Sequence, residues 1–501
     1  MRAHEEVPVL VVGGSLVGLS TSLVLGRHGV EHLVVERHPG TAIHPRAAYV
    51  FQRSVEAYRS VGIEAEVLAA AEREFVQNGA IMSVESLGGP ELEWYARNVN
   101  EGLEGLSPSP RLFVTQIGLE PVLKQRAAEL GGRLEYSSEV LSLEPDADGA
   151  TALIRDRESG EERTVRARYV VAADGAHSSL REQFGIGLEG HGTFSDSITI
   201  YFRADVRELI GDRNLSVVYV FHPRQQGFFR FSIDGRAGFL VVNSAVDETG
   251  AKTTHIWGDT SDEKCVEYVR EALGAPDLPV EIEDVQRWNA AAVWGERFGE
   301  GRILLAGDAV HVMPPTGGYG GNTGIHDAFN LGWKLAYVLA GHASPDLLAT
   351  YDAERRPVAR LTVEQAYARY VLRLDPSLGK EGLHPLVDDA LIDLGPRLRS
   401  TAIAAEPDDD GADWDDPRAP TGRPGVRAPH LFLDRDGGRV STIDLVGTRF
   451  LLLAAGGDGG WAEAAQTAAT ELGVPLDVHR VGPGGELGDP DGAFLRAYGL
   501  E

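Results

Sequence analysis

Residues 7–13, Val-Pro-Val-Leu-Val-Val-Gly, are a continuous apolar run ending on glycine, and the residues just after them narrow the folds open to this chain. A run without polar alternation predicts a strand buried on both faces, as in a parallel sheet. Next come Gly13-Gly14-Ser15-Leu16-Val17-Gly18, which open a helical stretch, and a second apolar run, 32–36, that ends on Glu36 with Arg37 behind it. The pattern is a βαβ unit carrying a dinucleotide fingerprint. In such a turn the first glycine makes the tight bend. The second admits a pyrophosphate to the backbone, and the third lets helix and strand pack. The helix N-terminus supplies N–H donors and about half a positive charge. Glu36 stands at the right spacing to accept from a ribose. Ser15 replaces the second glycine, so its Cβ crowds the phosphate side while its hydroxyl can donate. A βα turn that binds nothing would read the same way. A nucleophile elbow would need glycine where Val17 stands, and is rejected.

The chain has 501 residues, too many for one ordinary core, so two or three domains are expected. The net charge of −28 opposes binding to nucleic acid or anionic membranes, and any phosphate must be met by local donors. Part of the excess is an acidic stretch at 408–416, which reads as solvated. No apolar run is long enough for a membrane span, and the charged N-terminus does not read as a signal peptide. Cys265 is the only cysteine, so intramolecular disulfides and cysteine-pair metal or redox sites are excluded. No metal site is expected, and a reducing cytoplasm is the natural setting.

Further buried strands are predicted at 168–174, ending in Asp174-Gly175, and at 302–308, ending in Gly307-Asp308. Helices are predicted at 52–60, 118–130, 323–340 and 347–374, the last with Pro357 as a kink or break. Between 185 and 287 short strands at 198–202, 216–221, 227–233 and 238–244 predict an inserted antiparallel sheet. Residues 404–429, rich in Asp, Pro and Gly, read as a linker. Strands at 431–433, 450–454 and 475–481 and a helix at 461–472 predict a small α/β domain. The predicted division is 1–184 with 288–346 for the nucleotide, 185–287 for the inserted sheet, 347–403 helical, 404–424 linker and 425–501 C-terminal.

Two more constellations carry chemistry. One is Asp174-Gly175-Ala176-His177-Ser178-Ser179-Leu180-Arg181. The other is Gly307-Asp308-Ala309-Val310-His311, followed by Met313-Pro314-Pro315 and Gly317-Gly318-Tyr319-Gly320-Gly321-Asn322. Asp308 at a strand end can accept from a polyol, and a glycine loop opening a helix offers N–H groups to an electron-rich ring. Each alone is a common turn. In this order and spacing, over 7–356, the three resemble the aromatic hydroxylases of the p-hydroxybenzoate hydroxylase family, class A flavoprotein monooxygenases, and most closely the branch acting on aromatic polyketides. The resemblance implies a Rossmann-like FAD-binding domain with an inserted substrate-binding sheet, α/β (α+β overall). Gly13, Ser15, Leu16, Val17, Gly18, Glu36 and Arg37 would hold ADP. Arg46, in His44-Pro45-Arg46-Ala47, and Gln116 would touch the flavin, and Asp174-Gly175 with Arg181 would serve FAD and NAD(P)H. Gly307 and Asp308 would take ribityl or ribose hydroxyls. Pro314, Pro315, Gly318, Gly320, Gly321 and Asn322 would border the isoalloxazine ring. Asp327, Asn330, Trp333 and Lys334, and Tyr351, Glu354, Arg355, Arg356 and Pro357, match family motifs on the next two helices. The C-terminal segment is similar to the thioredoxin-like domain of larger members, lacks Cys-x-x-Cys, and ends short of their usual last strand.

The implied reaction hydroxylates a polycyclic aromatic polyketide, an anthracycline- or angucycline-like phenol. NADPH (or NADH) reduces FAD, O2 adds to form a flavin hydroperoxide, and oxygen passes to the ring. A monomer or homodimer would suffice. A base or positive field would help by ionising the phenol. Candidates on the inserted sheet are Tyr219, His222, Arg230 and Asn243, although polar residues at such positions are more often surface or satisfied core residues. Trp288 and Trp294 could stack on a planar substrate or simply pack. Rival readings are a simple-phenol hydroxylase, a Baeyer–Villiger-type oxygenase, a tetracycline-inactivating enzyme, a flavin-dependent dehydrogenase or reductase, and a non-catalytic nucleotide-binding module.

Overall fold

The apolar run that opens the chain becomes the strand Glu5–Val12, in the middle of a largely parallel sheet. The computed structural model describes residues 5–44, 49–243, 256–456 and 460–500. Glu5–Val12 pairs in parallel with His32–Val35 on one side and Glu162–Ala172 on the other. Ile303–Leu305 extends the sheet beyond Glu162–Ala172, and Arg133–Glu135 extends it beyond His32–Val35. Val9, Leu10, Val11, Val170 and Val171 are fully buried, as strands covered on both faces require. The helix Leu16–Arg27 covers one face, and nine of its twelve residues are buried. It packs closely against the helix Tyr319–Leu339 because glycines open the contact. A Cβ on Gly324 would meet Val17 at 2.6 Å, and one on Gly332 would meet Val24 at 2.6 Å.

The second sheet has eight strands and is wider than the inserted segment alone. Leu188–Arg203, Leu215–His222, Gln225–Phe231 and Ala237–Asn243 form its antiparallel centre. The long strand Glu281–Gly295 pairs with Leu188–Arg203 along its whole length. At the opposite edge Ala80–Val84 joins in parallel to Leu215–His222, followed by Glu91–Ala96. The sheet therefore draws strands from both sides of 185–287. Residues 80–96 alternate too weakly to predict as strands, and neighbouring strands supply the pairing that their own pattern lacks.

One side of this sheet, with Val218, Val220, Phe229 and Leu240, packs on the helix Asp262–Leu273. The other side faces the first domain. Of the kink or break expected at Pro357, the break does not occur: Asp346–Arg373 is one helix with the proline inside it. Two bonds tie the turn just before the proline to the neighbouring helix: Lys334 Nζ to Glu354 at 2.7 Å and Arg355 Nε to Asp327 at 2.8 Å. Asn330 Nδ2 also donates to Glu354, at 2.7 Å. These bonds account for Asp327, Asn330, Lys334, Glu354 and Arg355 among the motif residues on the two helices.

At the C-terminus Phe450–Ala455 and Leu476–Val481 pair in parallel across the helix Trp461–Leu472, beside the hairpin Phe432–Arg435 and Gly438–Ser441. The preceding Asp-rich stretch is partly neutralised, with Arg397 and Arg399 both paired to Asp409. Arg427 grips the buried Glu56 with both nitrogens, and Arg59 pairs with Asp444, so the C-terminal unit is docked on the helix Gln52–Ser60. Among the described residues no helix is long and apolar enough to cross a membrane, and no cluster of potential metal ligands exists.

Candidate functional site

Three glycine-bearing turns lie side by side, because the strands that end in them are neighbours in one parallel sheet. Ala173 N donates to Val12 O at 2.8 Å, and Ala306 N donates to Ala172 O at 3.0 Å. The turns after Val12, Ala172 and Leu305 thus open on one edge, where open α/β sheets bind ligands.

In the first turn Gly13 has φ +108°, and a Cβ there would come within 2.2 Å of Ala173 O. A Cβ on Gly18 would come within 1.8 Å of Gly13 O. Only glycine fits either position. Glu36 is buried and accepts from Gly14 N at 2.7 Å and His38 N at 2.8 Å. It braces the turn and keeps lone pairs for a ribose hydroxyl. Arg37 beyond it is exposed, and its carbonyl accepts from Arg157 at 2.8 Å.

Ser15 is the N-cap of Leu16–Arg27, yet its hydroxyl makes no capping bond and donates instead to Glu120. That carboxylate also accepts from Leu16 N at 3.0 Å, Gln116 Nε2 at 2.9 Å and Ala42 N at 2.7 Å. Ser15 is thereby turned from the phosphate side toward Glu120, and the Gln116 amide, expected at the flavin, points to Glu120 and Ser15. Burial pushes Glu120 above the usual carboxylate range, against the pull of these donors. Sequence reasoning missed Glu120; only its placement on the same helix as Gln116, one turn on, hinted at it.

In the second turn Asp174 Oδ2 accepts from Leu180 N at 3.3 Å, while its Oδ1 is buried with no hydrogen-bond partner. Gly175, at φ +87°, has nothing within 4 Å of where a Cβ would stand. Arg181 donates to Ala176 O at 3.3 Å and Ala309 O at 3.2 Å, tying this turn to the third. There Gly307, at φ +62°, presses on Val17, and Asp308 is exposed on the short turn Gly307–Ala309. Behind it the fully buried Asp327 accepts from Gly307 N at 3.1 Å and Arg355 Nε at 2.8 Å, and its Oδ2 lies 2.6 Å from His311 Nε2. Burial opposes its charge, but His311 and Arg355 hold its carboxyl below the usual range. His311 therefore shapes the turn.

Gly318, at φ +73°, caps Tyr319–Leu339 and donates to Pro315 O at 3.0 Å. Pro315 is exposed and Pro314 buried, and Gly320 and Gly321 are half-buried. The Asn322 side chain is saturated within the protein. Its Oδ1 accepts from Phe51 N and Ser54 Oγ, and its Nδ2 donates to Tyr49 O and Gly318 O. It staples the loop, and only its backbone is left to border a ring. Arg46 lies outside the described residues.

These residues fit FAD. One helix N-terminus, at Leu16, suits a pyrophosphate, and a second, at Tyr319, suits an electron-rich ring. The open space at Gly175 and the orphaned Asp174 oxygen follow the middle one of the three strands.

Facing this edge is one side of the second sheet. Register fixes what it carries: Tyr219 pairs with Phe228, which pairs with Val241, while Arg230 pairs with Phe239. Asn243, two residues beyond Val241, pairs with Ser197, which pairs with Trp288. Tyr219, Arg230 and Asn243 therefore share the cleft side. His222 alternates onto the opposite side with Val220, at a hairpin end, and leaves the candidate set. Arg230 is buried over the rings of Phe75 and Phe113, at 4.2 and 4.6 Å, and burial pulls its pKa down to about 9. Trp294 donates to Glu189 at 3.0 Å and packs with Val363 and Tyr367. Sequence reasoning also missed Arg373, at the end of the long helix. Its guanidinium lies beside the Tyr219 hydroxyl and 4.8 Å from the Tyr95 ring centroid. Burial raises Tyr219, and Arg373 offsets part of that.

The comparisons agree with this geometry. A family model for the FAD binding domain matches residues 6–366, and one for the aromatic-ring hydroxylase C-terminal region matches 421–495. A 4-methyl-5-nitrocatechol 5-monooxygenase from Burkholderia sp. is 49% identical, covering 99% of this chain and 91% of that protein. Aklavinone 12-hydroxylase DnrF from Streptomyces peucetius is 41% identical, covering 91% of this chain and 93% of that one. The crystal structure of aklavinone-11 hydroxylase with FAD and aklavinone superposes with a TM-score of 0.91 at 38% identity, covering 100% of this chain and 92% of that one. With the three turns on one sheet edge and these matches across its length, the chain belongs to the FAD-dependent aromatic hydroxylases of the p-hydroxybenzoate hydroxylase family, in the aromatic polyketide hydroxylase branch, and is an FAD-dependent monooxygenase.

Proposed function

We propose that this monooxygenase hydroxylates a polycyclic aromatic polyketide phenol, with NADPH or NADH as reductant. The observation that carries the reading is the breadth of the aromatic cleft face. Tyr219, Phe228, Val241 and Trp288 lie on separate strands of one sheet, a span of four strand spacings or about 19 Å from first to last. A face of that width carrying three aromatic rings suits several fused rings. Bound FAD supplies the two-electron reduction and the activation of O2. The protein's own residues do the rest. Glu36 and the first turn fix the adenosine end, and Asp308 accepts from the polyol. The sheet face covers the ring side and excludes water. Arg373, beside Tyr219, offers a positive charge to a substrate phenol. A phenol's reference pKa is about 10, and a guanidinium within contact lowers it, so more of the nucleophilic phenolate is present near neutral pH.

A second reading, a single-ring catechol, is favoured by the Burkholderia relative's 49% identity. Turnover under 18O2 separates the two. Label entering a tetracyclic phenol such as aklavinone, with kcat/KM at least tenfold above that for 4-methyl-5-nitrocatechol, supports the polycyclic reading; the reverse order overturns it. An Arg373→Gln variant should move the acid limb of kcat/KM to higher pH by about one unit. An unmoved profile removes Arg373 from the task of ionising the phenol.

A further inference from the structure

The cleft face carries a second polar group, far from Arg373. Asn243 is 4% exposed, and its Oδ1 accepts from Ser197 Oγ at 2.8 Å. Its Nδ2 is buried without a hydrogen-bond partner. The assignment of amide oxygen and nitrogen follows from the hydrogen-bond network. Turning the amide over changes little, because one serine hydroxyl satisfies only one end of it. A buried amide end left open is unfavourable, and a ligand atom placed there satisfies it.

The strand register gives its distance from the reacting end. From Tyr219 the path crosses two strands, through Phe228 to Val241, and then runs two residues along to Asn243. Two spacings and two residue rises separate their backbones by about 12 Å. Phe228 and Val241 line this path, and Gln226 stands directly opposite Asn243. Two strands beyond Asn243, Trp288 donates its own Nε1 to Thr199 Oγ1 at 2.9 Å, so it presents a ring and no free polar atom. A polar group therefore stands at each end of this path, with Phe228 and Val241 between them.

We infer that Asn243 is a specificity-determining residue. It hydrogen-bonds a carbonyl or hydroxyl oxygen at the far end of the substrate while the phenol to be hydroxylated lies beside Arg373. The ligand class is a planar polycycle with oxygen functions at both ends. A single ring held at Arg373 stops well short of Asn243. The inference rests on the polycyclic reading above and sharpens it.

The test compares the wild-type holoenzyme with Asn243→Ala, using aklavinone and 4-methyl-5-nitrocatechol as probes. The expected result is a KM for aklavinone raised about tenfold with kcat within twofold, and an unchanged KM for the nitrocatechol. The flavin absorption spectrum should also be unaltered. Asn243→Ser, which retains a hydroxyl, should recover part of the loss and serves as the readout if the alanine variant does not fold. Wild-type turnover of aklavinone with an unaltered KM in both variants overturns the role of Asn243 alone. An equal rise in KM for both probes means a packing defect and also overturns it. A wild-type enzyme that turns over the nitrocatechol and not aklavinone overturns the polycyclic reading, and this inference with it.

Discussion

Replacing Arg427 with leucine isolates the tie between the C-terminal unit and the cofactor domain. The Glu56 carboxylate is 1% exposed and Arg427 is 8% exposed. Arg427 meets both carboxylate oxygens, with Nε at 3.0 Å. Arg53 at 3.0 Å and Ser107 Oγ at 2.6 Å complete the shell. Burial alone would raise the Glu56 pKa, yet Arg427 and Arg53 hold it at about 2, against an ordinary 4.5. A carboxyl depressed by that much stabilises the fold by about 3 kcal/mol. Because the folded-state pKa is the lower one, this contribution is whole above pH 4.5 and fades as pH falls toward 2. In Arg427→Leu the carboxylate stays buried with only the half-exposed Arg53, so a loss of about 3 kcal/mol is expected at pH 7. Urea unfolding followed by tryptophan fluorescence measures it, with flavin release as a second probe of whether the domains part together. The double variant Glu56→Gln, Arg427→Leu removes the stranded charge and should recover most of the loss. A single-variant loss under about 1 kcal/mol, or a double variant no better than the single, refutes the reasoning.

Two further outcomes are expected at the cofactor edge. Gly18→Ala places a methyl 1.8 Å from Gly13 O, a backbone contact that cannot yield, so the purified protein should be colourless and lack the flavin absorption band. Normal flavin content would show that the turn can shift. Asp308→Ala should weaken FAD binding at least tenfold, about 1.4 kcal/mol, as measured by fluorescence titration of the apoenzyme; unchanged affinity removes Asp308 from the polyol site.

The cofactor half was the more legible in sequence because its constraints are local. A buried strand, a turn that admits only glycine and a helix start are all written within a few neighbouring residues, as from Val7 to Gly18. The contacts that reassign side chains are not local. Ser15 is turned aside by Glu120, which lies 105 residues away. Asn322 reads as a ring neighbour until the backbone of Tyr49 and Phe51 arrives to saturate it. Pro357 carries a strong local signal for a kink or break, yet the helix continues, tied to its neighbour just before the proline by Glu354 and Arg355. His222 and Tyr219 looked equivalent, because a strand's alternation does not say which side meets the cofactor. That side is set by the helix Asp262–Leu273 taking the other. Arg373 carried no motif at all, and only the end of a long helix brings it to Tyr219.

The second sheet is also held at both of its edges. At one, the chain enters by Leu188–Arg203 and leaves by Glu281–Gly295, and these two passages are bonded to each other as one ribbon. At the other, Ala80–Ala96 returns to the cofactor domain on both sides. A plate supported on two opposite legs does not swing like a hinged cover. Its height above the flavin edge is fixed by the lengths of those legs, so the clearance for a flat ligand is a built dimension of the chain. Inserting or deleting residues in either leg would change the thickness of what can enter, whereas substitutions on the plate itself change what is recognised once inside.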